Sequence, residues 1–154
     1  MSLSVPRLAR VVRRCQELPG QELFCYVASD RSIRHVGSGD VNDYIREITG
    51  DDFTAKDFRT WGGTVLALGI LRSLGECHGN KAKSAVVECF RRVSRQLGNT
   101  PAVCKKYYVH PAVIQAFLTG TMFAPEVEAR GAVRCKTLRP DEAALSQLLA
   151  PRGI

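Results

Sequence analysis

The residues best equipped for chemistry lie in the stretch GNTPAVCKKYYVHP, from Gly98 to Pro111. Two adjacent tyrosines, Tyr107 and Tyr108, follow two lysines, Lys105 and Lys106, and a proline stands three residues beyond the second tyrosine. A phenol has an ordinary pKa of about 10 and is a weak nucleophile at neutral pH unless nearby cations stabilise its anion. The lysines supply such a field, so the stretch suits phosphate handling. Tyrosine is also an ordinary core residue with a polar tip, and at this point that reading stays open for both rings. A second basic spot is formed by Lys56 and Arg59, three residues apart near the start of a predicted helix. Helix N-termini attract anions, and a guanidinium fork can grip two phosphate oxygens. A solvated basic face explains the pair equally well.

The elements that must position these groups are mostly helical. Val5, Leu8, Val12 and Cys15 fall on one face of a helix predicted over Ser4 to Leu18, with Arg7, Arg10, Arg13 and Arg14 on the others. This basic amphipathic helix is suited either to solvent or to phosphate contact. Leu23 to Val27 and Ile33 to Val36, joined by Ser29-Asp30-Arg31-Ser32, predict a small hairpin or two isolated strands. From Ser38 the stripe Val41, Tyr44, Ile45 and Ile48 predicts a helix ending at Thr49-Gly50. Thr54 with Asp57 three residues on forms a capping-box-like start for a helix running to about Leu74. That helix is mostly apolar after Trp61, as expected of a buried central element.

Lys81 to Leu97 predicts a further helix with Ala82, Ala85, Val86, Cys89, Phe90 and Val93 on its apolar face. Gly98 suits its C-cap, and Thr100-Pro101 restarts helix with threonine as N-cap. On a regular α-helix Cys104 and Tyr108 share a face, and Tyr107 points about 100° away. His110-Pro111 breaks that helix, Val113 to Leu118 forms a short helical run, Thr119 to Thr137 reads as irregular, and Pro140 to Ala150 closes with a last short helix.

Composition narrows the class. The 154 residues are 45% apolar and 24% charged, enough to bury a core as one domain. The formal charge of +7 favours a polyanionic partner without identifying it. The longest apolar run, Val65 to Leu71, is far short of the roughly 20 residues a membrane span needs. The basic N-terminus has no long apolar core for a secretory signal, so a cytoplasmic location is the expectation. Six cysteines are scattered with no CxxC pair, and Cys77-His78 with Cys89 fits no standard metal spacing. Reduced cysteines acting as small packing residues are expected, with no metal. Combined with the basic helices, the tyrosines and the Lys56/Arg59 spot point to phosphodiester chemistry through a tyrosine nucleophile. Such a reaction also needs fixed donors for the charge developing on phosphorus.

The segments TAKDFRTWGG, from Thr54 to Gly63, and GNTPAVCKKYYVHP resemble the two signature blocks of type IB DNA topoisomerases of the bacterial and poxvirus-like group. RLARVVRRCQELPGQELFCYV and VGSGDVNDYIREITG resemble the same family, so the likeness runs from Arg7 to about Val113. It implies a mainly α fold, the helical catalytic lobe shared with tyrosine recombinases, with a small strand or hairpin near the N-terminus. The wording KDFRTW and NTPAVCKKYYVHP points away from the recombinases themselves.

By resemblance, Arg59 matches the family's second catalytic arginine and Lys56 a supporting lysine of the same helix. Asn99 falls where a histidine or asparagine hydrogen-bonds a non-bridging phosphate oxygen. Tyr108, nine residues later and just before Val-His-Pro, matches the nucleophile, and Tyr107 a variable position. Lys105, Lys106, Arg13 and Arg14 are the expected DNA contacts. The implied reaction breaks and rejoins duplex DNA through a 3′-phosphotyrosyl link, relaxing supercoils in a monomer that needs neither metal nor ATP. The family's first catalytic arginine and its general-acid lysine precede the segment matched by Arg7 onward. Residues 1–154 are therefore expected to form one domain, the C-terminal part of the catalytic domain, without the clamp domain and first catalytic segment. A fragment, a degenerate gene product or one part of a split enzyme fits this expectation, with weak activity unless an upstream piece is supplied. A non-catalytic duplex-binding module with the same fold is the alternative.

Overall fold

Helix α3 (Ala55–Leu74) is the longest element of the chain, and its sequence explains both its start and its burial. The Asp57 carboxylate accepts from the Thr54 amide at 2.9 Å and from the Thr54 hydroxyl at 2.6 Å. Only half of the expected capping box forms, because the threonine hydroxyl donates to the carboxylate and does not accept from the helix. Farther along, Gly63, Thr64, Ala67, Leu68 and Leu71 are buried, a stripe at the helical period. Burying a leucine such as Leu71 stabilises the fold by about 1.5–3 kcal/mol relative to exposing it, which offsets the cost of two adjacent glycines inside the helix.

The structure, a computed structural model, describes residues 5–18, 22–124 and 138–150. The chain divides into two compact units, Met1–Asp57 and Phe58–Ile154, so the first residues of α3 belong to the first unit and the rest to the second. Among the described residues no helix is long and apolar enough to cross a membrane.

In the first unit, α1 (Pro6–Gln16) starts on a proline and keeps Arg13 and Arg14 in its last turn. The expected extension to Ser4 lies outside the described residues. Strands β1 (Cys25–Val27) and β2 (Ile33–His35) pair antiparallel, with Tyr26 opposite Arg34, which selects the hairpin over isolated strands. Arg31, in the connecting turn, has a positive φ of 64°. The Asp30 carboxylate supports the turn by accepting from the Ser32 amide at 2.9 Å. Helix α2 (Ser38–Thr49) opens with the Asp40 carboxylate on the Gly37 amide and ends at Gly50 in the left-handed conformation, as the Thr49-Gly50 pair predicts. Its apolar stripe stays largely in the open: Val41, Tyr44 and Ile48 are exposed. The Ala55 amide at the head of α3 donates to Asn42 Oδ1 at 3.0 Å.

In the second unit, α4 (Gly79–Leu97) buries Ala82, Cys89, Phe90 and Val93 against the α3 stripe in one apolar cluster. Gly98, at φ 64°, ends it. Thr100 then caps the short α5 (Pro101–Val103), its hydroxyl accepting from the Val103 amide. The expected α-helix does not continue: Cys104–Tyr108 form a π turn, closed by the Val109 amide on the Cys104 carbonyl at 3.1 Å. Helix α6 (Pro111–Leu118) is capped by His110, whose Nδ1 accepts from the Ala112 amide. A 3₁₀ turn at Thr121–Phe123 follows. The irregular stretch expected from there to Thr137 lies mostly outside the described residues. Helix α7 (Pro140–Leu149) adds Ala144 and Leu145 to the same core as Val113, Phe117 and Met122.

Candidate active site

Three segments of the second unit meet at the end of α4. A helix leaves its last carbonyls without intrahelical partners, and the Leu97 carbonyl is one of these. It accepts from Arg59 Nη2 at 2.5 Å and from Asn99 Nδ2 at 3.1 Å. One oxygen therefore ties the arginine of α3 to the asparagine just past the α4 cap. The Arg59 guanidinium also lies over the Tyr108 ring, 5.0 Å from the centroid. Arginine over an aromatic face is attracted by the ring's quadrupole. Arg59, Asn99 and Tyr108 thus share one small region although they come from positions 59, 99 and 108.

The two tyrosines part company here. Tyr108 is half-buried and packs against the core, whereas Tyr107 is exposed, with Lys106 Nζ 5.0 Å from its ring centroid. The angular separation expected of a regular helix is preserved in kind, although the π turn sets it. Lys105 and Lys106 are exposed beside them. Cys104, fully buried within the turn, has its thiol pushed up by burial, with the Arg59 charge pulling weakly the other way. The arrangement thus gathers a guanidinium, a side-chain amide and a half-buried phenol, groups that can bind an anion and, in the case of the phenol, act as a nucleophile when its anion is stabilised.

Lys56 stands exposed in the first turn of α3, in the first unit. It adds a small pull to the neighbouring Asp57, whose carboxyl is held below the usual range chiefly by the Thr54 hydroxyl and amide. Arg13 and Arg14, also in the first unit, are exposed on α1. Among the described residues no group of three histidine, cysteine or carboxylate side chains is placed to hold a metal ion, and the five described cysteines are free. Cys89, one of the spacing cluster considered above, is fully buried with its thiol pushed up to about 12 by burial.

Sequence reasoning missed three participants. The Leu97 carbonyl is backbone and leaves no side-chain signature. Gly63 lies against the tyrosine turn so closely that a Cβ there would sit 2.5 Å from the Tyr108 carbonyl oxygen. Thr64, 2% exposed, accepts from the His110 amide at 3.0 Å. The signal for the last two was the Gly-Gly-Thr run inside an otherwise apolar helix, since interior glycine is costly unless another backbone comes close.

Comparison with known proteins places the chain in a family. The profile of the eukaryotic DNA topoisomerase I catalytic core matches residues 1–123. The chain is also similar to the DNA topoisomerase 1B of Acanthamoeba polyphaga mimivirus, with 32% identity over 120 residues. That match takes in 73% of this chain and 36% of the viral protein, so the chain spans little more than a third of its relative's length. The profile match covers α1 through the 3₁₀ turn and includes Arg59, Asn99 and Tyr108, and the chain accordingly belongs to the type IB DNA topoisomerases.

Proposed function

We propose that this chain carries the nucleophile and part of the transition-state clamp of a DNA breaking and rejoining reaction. The Tyr108 phenolate oxygen attacks a phosphodiester of duplex DNA. A bond forms from that oxygen to phosphorus, the bond to the 5′-oxygen breaks, and a proton goes to the departing oxygen. The products are a 3′-phosphotyrosyl link and a 5′-hydroxyl, and the reverse attack reseals the strand after supercoils relax. The bond energy stays in the covalent link. Arg59 offers its planar fork to the non-bridging oxygens, Asn99 adds an amide donor, and Lys56 supports the same phosphate. Lys105, Lys106, Arg13 and Arg14 contact the duplex backbone, consistent with a charge of +7.

One observation carries the reading: the guanidinium of Arg59 lies over the ring of Tyr108 and shares the Leu97 carbonyl with Asn99. The resemblance assigns the general acid and a further arginine to a segment upstream of Arg7. General acids contribute about 10²–10⁴-fold, so residues 1–154 assayed by themselves react slowly and gain from an added upstream piece of a full-length relative. The chain works as a monomer on DNA in the cytoplasm, nucleoid-associated in a bacterial cell, with the described residues forming the C-terminal part of the catalytic domain.

The test is a nicked suicide duplex incubated with the chain, with and without that upstream piece, and resolved on a denaturing gel. A protein–DNA adduct is expected for wild type and none for Tyr108→Phe. No adduct even with the added piece, or equal adduct from Tyr108→Phe, refutes the mechanism. Salt-sensitive duplex binding indifferent to Tyr108→Phe, without adduct, would instead mark a binding module.

A further inference from the structure

Arg59 and Tyr108 are 49 residues apart in sequence, and catalysis requires their relative placement to hold within about 0.5 Å. The turn that carries Tyr108 has π geometry, a short and uncommon element closed by the Val109 amide on the Cys104 carbonyl at 3.1 Å. Helix α3 meets it with two hydroxyls one helical turn apart. Thr60 Oγ1 donates to the Tyr107 carbonyl at 3.2 Å. Thr64 Oγ1 accepts from the His110 amide at 3.0 Å and spends its single proton on the Thr60 carbonyl at 2.6 Å, while lying 3.5 Å from the Tyr108 carbonyl. The backbone is therefore clasped one residue before and two residues after Tyr108. Gly63, between the two threonines, allows the approach.

Thr60 follows Arg59 directly, so the helix that places the guanidinium also places the tyrosine. We propose that Thr64, assisted by Thr60, is a positioning residue that references the Tyr108 turn to the α3 frame bearing Arg59. The proposal rests on Tyr108 being the nucleophile for its kinetic consequence alone; the clasp itself is a property of the backbone.

Thr64→Val keeps the shape and removes the hydroxyl, and Thr64→Ser keeps the hydroxyl. Two measurements on the full chain separate the outcomes. Amide hydrogen exchange at His110, relative to Val93 in the core of α4, is expected to rise about 10-fold or more in Thr64→Val and to return in Thr64→Ser. First-order adduct formation at saturating nicked duplex is expected to fall about 10–100-fold in Thr64→Val with unchanged DNA affinity, and to recover in Thr64→Ser. Thr60→Val, at a less buried position, gives the same kinetic split to a smaller degree and serves if Thr64→Val does not fold. Uniform exchange changes, loss of DNA affinity in step with rate, or failure of serine to rescue would overturn the proposal. If wild type forms no adduct, the nucleophile assignment has failed, and the exchange arm alone decides whether Thr64 clasps the turn.

Discussion

The adjacent glycines Gly62 and Gly63 inside α3 provide a sharp test, because neighbouring positions should respond with opposite sign. A Cβ built on Gly62 has no atom within 4 Å, whereas one on Gly63 meets the Tyr108 carbonyl oxygen at 2.5 Å and Leu97 Cδ1 at 3.2 Å. Alanine in place of glycine inside a helix gains about 0.5–1 kcal/mol from reduced unfolded-chain entropy and better propensity. Gly62→Ala should show that gain. Gly63→Ala carries the same gain, but weak carbon–oxygen contacts settle at about 3.3 Å or more, so the peptide after Tyr108 must retreat by roughly 0.8 Å. Overpacking of this kind costs about 1–3 kcal/mol. The propensity term cancels between the two variants, so Gly63→Ala should be less stable than Gly62→Ala by about 1–3 kcal/mol in urea unfolding. A displacement near 1 Å at the reacting group costs about 10²-fold in rate. Adduct formation by Gly63→Ala should therefore fall by about that factor at DNA saturation. Equal stabilities for the two alanine variants, or a wild-type adduct rate for Gly63→Ala, would refute the close approach of the tyrosine turn to α3.

Replacing Lys105 and Lys106 together by glutamine should flatten the dependence of log binding constant on log salt by about 2, at about 0.9 for each phosphate that is no longer neutralised; an unchanged slope would remove them from the DNA interface. Among the described cysteines, alkylation at pH 8 should label Cys15 and Cys77 first, since both are partly exposed. Cys89, with no exposed surface and a thiol pushed up to about 12, should stay unmodified until the chain unfolds, as read by peptide mass spectrometry. The carboxyls of Asp30, Asp57, Glu88 and Glu142 are all held below their ordinary values, mainly by hydrogen bonds from Ser32, Thr54, Arg92 and Arg139 respectively. Depressed carboxyls contribute stability that is present above the unfolded-state pKa, about 4, and is lost as pH falls through the lower folded value. Stability from these groups should thus be flat from pH 6 to 8 and decline below about pH 4. A rise in stability on acidification would contradict the hydrogen-bond assignments.

Much of the fold was legible because its signals are local. The left-handed stops at Gly50 and Gly98, the Thr100-Pro101 restart and the period of the α4 apolar face are all decided within a few residues. Local reasoning went astray where a competing partner was equally close. At Thr54 the hydroxyl had a carboxylate within reach and donated to it, leaving half a capping box. On α2 the apolar stripe is real in sequence, yet periodicity states which residues share a face and not whether anything covers it.

By itself the sequence determined the helical class, two short strand segments near the N-terminus, the basic charge and the two segments whose wording resembles the family; their pairing into a hairpin was decided by the structure. It also placed a cation pair on one helix and a tyrosine pair on another, and the family resemblance assigned Arg59 and Tyr108 to one site. Tertiary structure supplied the contact between them. The stretch 104–108 takes a π turn, not the α-helix its composition suggests, and α3 clasps the backbone on both sides of Tyr108. Arg59 lies on the Tyr108 ring, while Tyr107 turns outward beside Lys106. The physical reason is that a helical register is a small local preference. It yields when carbonyls and an amide that face a neighbouring helix find hydroxyl partners there, because leaving such groups unpaired away from water costs about 1–3 kcal/mol each.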